Sequence, residues 1–200
     1  MEEVIQEMKV IEFLGMPRAG KTTAVEIVES VMKREGRKVR TVYEGARVCP
    51  LDKSDRYNYH SWSFHNTVNR ILEARLDNYD FILVDRGVLD HMAFLQAIKP
   101  SCTREIEPAF EYYKGFLELQ DEELFFTVSP EEAIRREAKS KPFVGRVFNT
   151  DFLSRLGNAY QQVLDYAAGA GRNVEVVDGN CKLADNVARM LEYSERLAKK

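Results

Sequence analysis

Five short stretches dominated by apolar side chains recur along the chain, at 10–14, 39–43, 81–84, 124–128 and 174–177. Each stretch is only four or five residues long, and most are rich in valine, isoleucine and phenylalanine. Short runs of this composition are typical of strands that are buried on both faces. The pattern therefore predicts five strands in the interior of the protein.

Between these stretches, apolar residues recur with the period of a helix. In 21–34 the valines and Met32 fall on one face, and Gly36 follows as a stop signal. Helices are also predicted at 62–76, 90–98 and 104–119, and in the segments striped by Phe152, Leu156, Tyr160, Val163 and Ala167 and by Leu183, Val187, Leu191 and Leu197. Either Asn149 or Thr150 is placed to cap the first of these striped helices.

Strands that alternate with helices predict an α/β fold with a parallel sheet and helices on both faces. The length of 200 residues fits a single domain, 1–200, and no linker rich in glycine, serine or proline divides it. Ligands of such sheets bind beyond the carboxyl ends of the strands. The residues that follow each strand are therefore the candidates for a functional site.

The composition is that of an ordinary globular protein, with 44% hydrophobic and 30% charged residues. The formal net charge of −3 gives no reason to expect a nucleic acid polymer as a partner. Cys49, Cys102 and Cys181 lie far apart and are odd in number, which suits a reducing cytoplasm better than a disulfide framework or a zinc site. The acidic start of the chain is unlike a secretory signal, and no run of about 18 apolar residues predicts a membrane span.

The segment GMPRAGKT, Gly15 to Thr22, fits the pattern GxxxxGK[ST] between a predicted strand and a predicted helix. Glycines let backbone N–H groups turn toward phosphates, and the start of the helix adds a positive dipole. Lys21 is expected to reach the β- and γ-phosphates of ATP, and Thr22 to hold Mg²⁺ through its hydroxyl. The predicted ATP contacts in this phosphate loop are Gly15, Met16, Pro17, Arg18, Ala19, Gly20, Lys21, Thr22 and Thr23. The alternative is a glycine turn with an incidental lysine.

Three charged side chains, one in the loop and two at the end of the third predicted strand, are candidates for catalysis or for ligand binding. Arg18 could stabilise the transferring phosphoryl group as an arginine finger, or else point into solvent. Asp85 ends the third strand, where a second acid commonly binds Mg²⁺ or its water, or else caps the next helix. Arg86 suits bidentate recognition of phosphate or carboxylate, or else forms a structural ion pair with an acid such as Glu44.

With these residues the chain resembles the thymidylate kinase and deoxynucleoside kinase group of P-loop kinases. The loop is similar to that of thymidylate kinases, with Arg18 at their arginine and Pro17 in place of an aspartate that helps to hold the acceptor sugar. Asp85-Arg86 is similar to their Asp-Arg pair and to the Glu-Arg-Ser of deoxynucleoside kinases. The resemblance implies a P-loop NTPase three-layer sandwich, use of ATP with Mg²⁺, and a homodimer, since relatives are commonly dimers.

The resemblance also implies an acceptor site. Glu44, after the second strand, looks like the acid that acts as base for the 5′-hydroxyl in nucleoside kinases, although Gly45 follows it where proline is common. The segment 62–66, WSFHN, looks like the helix that reads the base, with His65 in place of the usual glutamine. Core packing of the aromatic residues and an ordinary surface role for the histidine are the alternatives. The implied acceptor contacts are Glu44, Arg47, Phe64, His65, Arg70 and Arg86.

A basic segment that includes Arg135, Arg136 and Arg146 follows the fourth strand. Ser129 is placed to cap a helix that begins with proline. The segment at about 130–148 resembles the lid that closes over ATP in these kinases, where it adds cations and expels water. Of its arginines we expect Arg136 and Arg146 to contact phosphate. The alternative is a solvated helix face that is stabilised by pairs of opposite charge four residues apart.

The fifth strand ends in Val177-Asp178-Gly179-Asn180. The resemblance implies that this loop lies beside the adenine, so Asp178, Gly179 and Asn180 are expected to contact ATP. The chain contains no NKxD motif for reading guanine, which disfavours GTP as the donor.

These observations favour an ATP-dependent phosphotransferase acting on a small acceptor, with a nucleoside monophosphate preferred. The first alternative is a deoxynucleoside kinase that phosphorylates a 5′-hydroxyl. The second is a regulatory nucleotide-binding ATPase, which would not need the charged acceptor residues, and a kinase for an unrelated metabolite is the last. The residues expected to carry catalysis are Lys21, Arg18, Asp85, Glu44, Arg136 and Arg146, with Thr22 and Asp85 as metal ligands.

Overall fold

The computed structural model describes residues 8–101, 104–140 and 148–199. Its five strands form one sheet in the order β2-β3-β1-β4-β5, and all four neighbouring pairs are parallel. The strands are β1 (Lys9–Gly15), β2 (Val39–Val42), β3 (Phe81–Asp85), β4 (Glu122–Thr127) and β5 (Val174–Asp178). The five-stranded parallel sheet that the apolar stretches predict is therefore confirmed.

Seven α-helices surround the sheet within the described ranges. They are α1 (Lys21–Arg34), α2 (Arg56–Arg75), α3 (Val88–Ile98), α4 (Glu107–Lys114), α5 (Pro130–Ser140), α6 (Thr150–Gly169) and α7 (Leu183–Ala198). Helix α1 packs against α7, while α3 packs against both α2 and α6. None of the helices in the described part of the chain is long and apolar enough to cross a bilayer.

The order of the strands explains where a ligand site forms. Parallel connections are right-handed, so the reversal of direction after β2 places α1 on one face of the sheet and α2, α3 and α6 on the other. Strands β1 and β3 are neighbours, yet the chain leaves them toward opposite faces. A crevice therefore opens at their carboxyl ends, where ligands bind in folds of this kind.

Two helices differ from the sequence-based expectation. Helix α2 begins at Arg56 rather than near Trp62, because the carboxylate of Asp55 accepts from the backbone N–H of Asn58 and caps it. The single helix expected over 104–119 is divided. Helix α4 ends before Gly115, and a separate 3₁₀ turn follows at Leu117–Leu119, so the apolar spacing there was not that of one continuous helix. As expected, Asn149 caps α6.

Candidate active site

The phosphate loop joins the end of β1 to the start of α1, as the motif predicts. A Cβ on Gly15 would lie 2.1 Å from the carbonyl oxygen of Phe126, and the φ of Gly15 is +130°, so only glycine fits there. Gly20 has a φ of +103° and Arg18 a φ of +62°. The backbone N–H of Met16 donates to the Phe126 carbonyl at 3.1 Å, which ties the loop to β4.

Lys21 is curled into this loop rather than extended into solvent. Its ammonium group donates to the carbonyl oxygens of Gly15 at 2.7 Å and Met16 at 2.8 Å, and the residue is only 5% exposed. Burial, together with the nearby charge of Arg86, lowers the pKa of Lys21 to about 7. An incidental surface lysine would not be buried among carbonyl groups, so this geometry favours the phosphate-binding interpretation.

Thr22 and Asp85 bring two oxygen atoms together at the crevice. The Thr22 hydroxyl donates to Oδ2 of Asp85 at 2.8 Å, and Nη2 of Arg47 lies 3.6 Å from the same oxygen. No group of three His, Cys, Asp or Glu side chains suited to a metal occurs in the described ranges. Mg²⁺ needs few protein oxygens when phosphates and waters supply the rest, so a hydroxyl beside a carboxylate fits this ion.

Arg18 contacts helix α5 in this structure. Its Nε lies 2.5 Å from Oε2 of Glu137, and its Nη2 donates to Oγ of Ser140 at 2.6 Å. Glu137 is almost fully buried, whereas about a third of the Arg18 side chain is exposed. The simple alternative of an arginine that points only into solvent therefore does not describe Arg18, and its role toward phosphate stays a prediction.

Arg86 directly follows β3 at this crevice and has a left-handed φ of +72°. Its Nη1 donates to Oδ2 of Asp90 at 2.7 Å, and its Nε lies 3.4 Å from Oε2 of Glu44. The guanidinium also stacks on the ring of Phe94, 5.0 Å from its centroid. The structural ion pair with Glu44 is thus present, but the shorter bond is to Asp90, which the sequence argument did not include.

Two further basic residues flank the end of β2. Arg47 stacks on the ring of Tyr43 at 5.2 Å and lies near both Thr22 and Asp85. Arg70, from α2, donates to the carbonyl oxygen of Tyr43 at 3.1 Å. The structure therefore brings Arg47 into the crevice, whereas Arg70 supports the backbone beside it.

Phe64 and His65 were expected to contact the acceptor, and the first is buried whereas the second is exposed. Phe64 is fully buried and stacks on Tyr113 with 3.6 Å between ring centroids, and its contact with an acceptor stays a prediction. His65 is exposed, with Nδ1 2.7 Å from the carbonyl oxygen of Ser61 and its ring stacked on Tyr112. The alternative of core packing is therefore the one observed for Phe64.

A cavity of about 500 Å³ lies between the phosphate loop, α5 and α7. It is lined by the loop, the first turns of α1, the middle of α5, the loop after β5 and the start of α7. The lining residues are Ala19, Gly20, Thr23, Ala24, Ile27, Phe126, Glu132, Arg135, Arg136, Gly179, Asn180, Cys181, Lys182, Asn186, Val187 and Met190. This mixture of apolar walls and a few polar groups is typical of a pocket for a small ligand.

The arginines of α5 differ in their contacts. Arg136 donates to the carbonyl oxygens of Arg18 at 3.1 Å and Gly179 at 2.7 Å, and so ties α5 to both the phosphate loop and the loop after β5. Arg135 pairs in bidentate fashion with Glu132, three residues before it, at the surface. Arg136 also forms the expected pair with Glu132, four residues before it, at 2.6 Å. The solvated-face interpretation therefore fits Arg135, and it fits Arg136 only in part, because Arg136 also holds the two loops. Arg146 lies outside the described residues.

The loop after β5 is shaped by its own side chains. The carboxylate of Asp178 accepts from the backbone N–H and the side-chain amide of Asn180, both at 2.9 Å. A Cβ on Gly179 would lie 2.3 Å from the carbonyl oxygen of Thr127 and 2.7 Å from that of Ala19, so glycine is required for this close approach. Gly179 and Asn180 line the cavity, while Asp178 holds the turn.

Several buried polar residues were missed by the sequence argument. Glu12, in the middle of β1, accepts backbone N–H groups from Gly87, Leu89 and Asp90 and so caps α3, and burial raises its pKa to about 8. Its only sequence signal was an acid within an apolar stretch.

A second group that was missed is a pair of histidines. His60 and His91 pack against each other between α2 and α3, with 5.1 Å between ring centroids. Burial lowers the pKa of His60 to about 4 and that of His91 well below its ordinary value. No local pattern marks two histidines so far apart in the sequence as neighbours.

Comparison with solved structures supports the fold. The chain is similar to a deoxyadenosine kinase from M. mycoides with bound dATP, with a TM-score of 0.67 and 16% identity over 93% of this chain and 99% of that chain. It is also similar to a thymidylate kinase from Candida albicans, with a TM-score of 0.66 and 16% identity over 94% of this chain and 92% of that chain. No protein-family model and no curated protein matches the sequence. The fold is therefore that of the P-loop nucleoside and nucleotide kinases, as the motifs indicated.

Proposed function

We propose that this protein is an ATP-dependent kinase that transfers a phosphoryl group to a small acceptor, with a nucleoside monophosphate as the preferred acceptor class. The observation that carries the proposal is the convergence of three features at the carboxyl ends of β1 and β3. These are the buried ammonium of Lys21, the oxygen pair of Thr22 and Asp85, and the buried guanidinium of Arg86. A simple nucleotide switch needs the first two features, but not a second fixed cation across the crevice.

The donor nucleotide has a natural place in this arrangement. The cavity of about 500 Å³ beside the phosphate loop is suited to the base and sugar, with Arg136 and Gly179 on its walls. The triphosphate would follow the loop to Lys21, whose bonds to two carbonyl groups are easily exchanged for bonds to phosphate oxygens. Thr22 and Asp85 would hold Mg²⁺, which supplies charge neutralisation for the triphosphate when it is bound.

Catalysis would rest on positioning and on charge, because phosphoryl transfer asks little covalent chemistry of the protein. Arg18 lies at the mouth of the loop and can exchange its bond to Glu137 for one to the transferring group. A cation held at that point stabilises the negative charge that spreads over the phosphoryl oxygens in the transition state. Helix α5 would contribute through Arg136, which already holds the backbone of Arg18.

The acceptor would bind on the side of Arg86, Arg47 and Glu44. A monophosphate is favoured because two arginines lie within this half of the crevice and a fixed guanidinium recognises phosphate in bidentate fashion. Its attacking oxygen is already ionised, so no general base is required. Similarity to the thymidylate kinase of Candida albicans supports this choice only at the level of the fold.

A nucleoside acceptor is the second candidate, and Glu44 is the observation that favours it. This carboxylate is partly exposed at the crevice and is oriented by Arg86, as a base for a 5′-hydroxyl would need to be. The deoxyadenosine kinase among the similar structures is consistent with this possibility.

The test is a screen for ATP consumption with nucleosides and their monophosphates, with the products identified by mass. We expect diphosphate products to form from one or more monophosphates, and Lys21→Met to abolish them. Turnover of nucleosides alone would favour the second candidate. ATP hydrolysis without any phosphorylated acceptor would reject both and indicate a regulatory ATPase.

A further inference from the structure

A buried series of hydrogen bonds runs beneath the phosphate loop and connects its two sides. The Lys21 ammonium donates to the carbonyl oxygen of Gly15 at 2.7 Å. The hydroxyl of Tyr160, from α6, lies 2.8 Å from the same carbonyl oxygen and 2.6 Å from Oδ1 of Asp90. Oδ2 of Asp90 accepts from Arg86 at 2.7 Å. Nη1 of Arg86 also lies 3.5 Å from the Gly15 carbonyl oxygen, and the Gly15 backbone N–H donates to Oδ1 of Asp90 at 2.9 Å. The lysine of the donor side and the arginine of the acceptor side are therefore joined through Gly15, Tyr160 and Asp90.

Each of the four residues in this series is at least nine-tenths buried, with Tyr160 at 0% and Asp90 at 1% exposure. Burial alone would raise the pKa of Asp90, but the charges of Arg86 and Lys21 lower it below its usual value, so the carboxylate is ionised. Burial raises the pKa of Tyr160 well above its ordinary range, so its hydroxyl keeps its proton. Hydrogen bonds to charged groups are strong in such surroundings.

The hydroxyl of Tyr160 faces two acceptors with a single proton to donate. The shorter contact is to Asp90, while the Gly15 carbonyl already receives a bond from Lys21. If phosphates draw the lysine away, the Gly15 carbonyl loses its shortest charged donor and accepts more strongly from the donors that remain, the Tyr160 hydroxyl at 2.8 Å and Nη1 of Arg86 at 3.5 Å. The ionised carboxylate of Asp90 stays the stronger acceptor of the hydroxyl proton, but its share of that bond falls. Lys21 therefore sets how the Tyr160 bond is shared between Asp90 and Gly15.

We propose that Asp90 and Tyr160 are positioning residues that couple the donor site to the acceptor site. When donor phosphates engage Lys21, the bond from the Tyr160 hydroxyl to Gly15 strengthens at the expense of its bond to Asp90, and the Asp90 carboxylate binds Arg86 more strongly. The guanidinium on the acceptor side is thereby fixed more firmly once the donor is in place. The inference rests on the proposed function for the identity of its ligands, but the hydrogen bonds themselves do not depend on it.

The direct measurement is the ¹⁵N–¹H resonance of the Arg86 Nε group in the full-length protein, assigned by its loss in Arg86→Lys. In the wild type, Mg-AMP-PNP is expected to shift this resonance. In Tyr160→Phe, which keeps the ring and removes only the hydroxyl, Mg-AMP-PNP should bind without shifting it. Tyr166→Phe, on the same helix but outside the hydrogen-bonded series, is the matched control and should retain the shift. If Tyr160 had only a structural role, Tyr160→Phe would lower the thermal stability, but Mg-AMP-PNP would still shift the Arg86 resonance.

A second variant tests the series without any nucleotide. Lys21→Met removes the bond to the Gly15 carbonyl, so the Arg86 resonance of the free variant should move in the direction seen for nucleotide-bound wild type. This arm remains informative even if Tyr160→Phe fails to fold.

The outcomes separate the inference from the proposed function. Nucleotide binding without an Arg86 shift in the wild type, or a full shift that persists in Tyr160→Phe, would overturn the inference alone. An unmoved resonance in free Lys21→Met would overturn it as well. Failure of the wild type to bind Mg-AMP-PNP would instead overturn the proposed function.

Discussion

Binding of MgATP should draw a proton onto Lys21. In the free protein, burial lowers the pKa of Lys21 to about 7. Donor phosphates would surround the amine with negative charge and return its pKa toward the ordinary value of 10.5. The charged form is then favoured only in the complex, so nucleotide binding and protonation of Lys21 support each other.

The size of the effect follows from these pKa values. At pH 8 about nine-tenths of free Lys21 is neutral, and at pH 6 about a tenth is neutral. Binding should therefore take up about 0.9 proton at pH 8 and about 0.1 proton at pH 6. By linkage, the dissociation constant should rise about tenfold for each pH unit above 7 and should be nearly flat below 6.

The assay is isothermal titration calorimetry with MgADP or Mg-AMP-PNP in two buffers of different ionisation enthalpy, at pH 6 and at pH 8. Lys21→Met should lose the proton uptake. Lys33→Met is the matched control, because Lys33 lies on the same helix but is exposed and paired with Glu29, and it should keep the uptake. Absence of uptake in the wild type at pH 8, or an equal uptake in Lys21→Met, would refute the reasoning.

Three other predictions concern the remaining side chains. Arg18→Ala should lower kcat about 100-fold while changing Mg-AMP-PNP affinity much less, since its charge should count most in the transition state; equal losses in steady-state kinetics and in binding titrations would assign Arg18 to ground-state binding instead. His60 should contribute a loss of about 3 kcal/mol to the free energy of unfolding as the pH drops from 6.5 to 4, because the unfolded chain protonates His60 and the folded protein resists it; the difference between wild type and His60→Gln in denaturant titrations at these two pH values separates this contribution from that of other buried groups such as Glu12, and an identical pH dependence in both would contradict the assignment. With a monophosphate acceptor, Arg86→Lys should chiefly raise the acceptor KM, whereas with a nucleoside acceptor Glu44→Gln should lower kcat about 100-fold; initial-rate kinetics that show neither effect would place the acceptor elsewhere.

The parts of the fold that sequence reasoning predicted well are those with a local signal. Each strand is an apolar stretch, and the phosphate loop needs glycine where a side chain would collide with β4, as at Gly15. Such features can be recognised from residues that are consecutive in the sequence. The convergence of Thr22 with Asp85 was also predictable, because parallel strands end at the same edge of the sheet.

The parts that could not be predicted depend on contacts between distant segments. Asp90 and Tyr160 read as ordinary helix residues, and only the packing of α3 against α6 places both beneath Gly15. The sequence around Phe64 fits a ligand-contacting helix and a core helix equally well, and its stacking on Tyr113, a residue of α4, could not be predicted from that sequence. A local sequence pattern does not show which residue of another helix will pack against it.

The central claim is that the two halves of this crevice pass a phosphoryl group from ATP to a small acceptor. The most direct measurement uses ATP that carries ¹⁸O in its γ-phosphoryl group, together with nucleoside monophosphates and nucleosides, and follows the label by mass. The proposal expects the label in a phosphorylated acceptor, with a monophosphate as the best substrate, and no labelled product with Lys21→Met. Label found only in inorganic phosphate, at a rate that no acceptor changes, would contradict it.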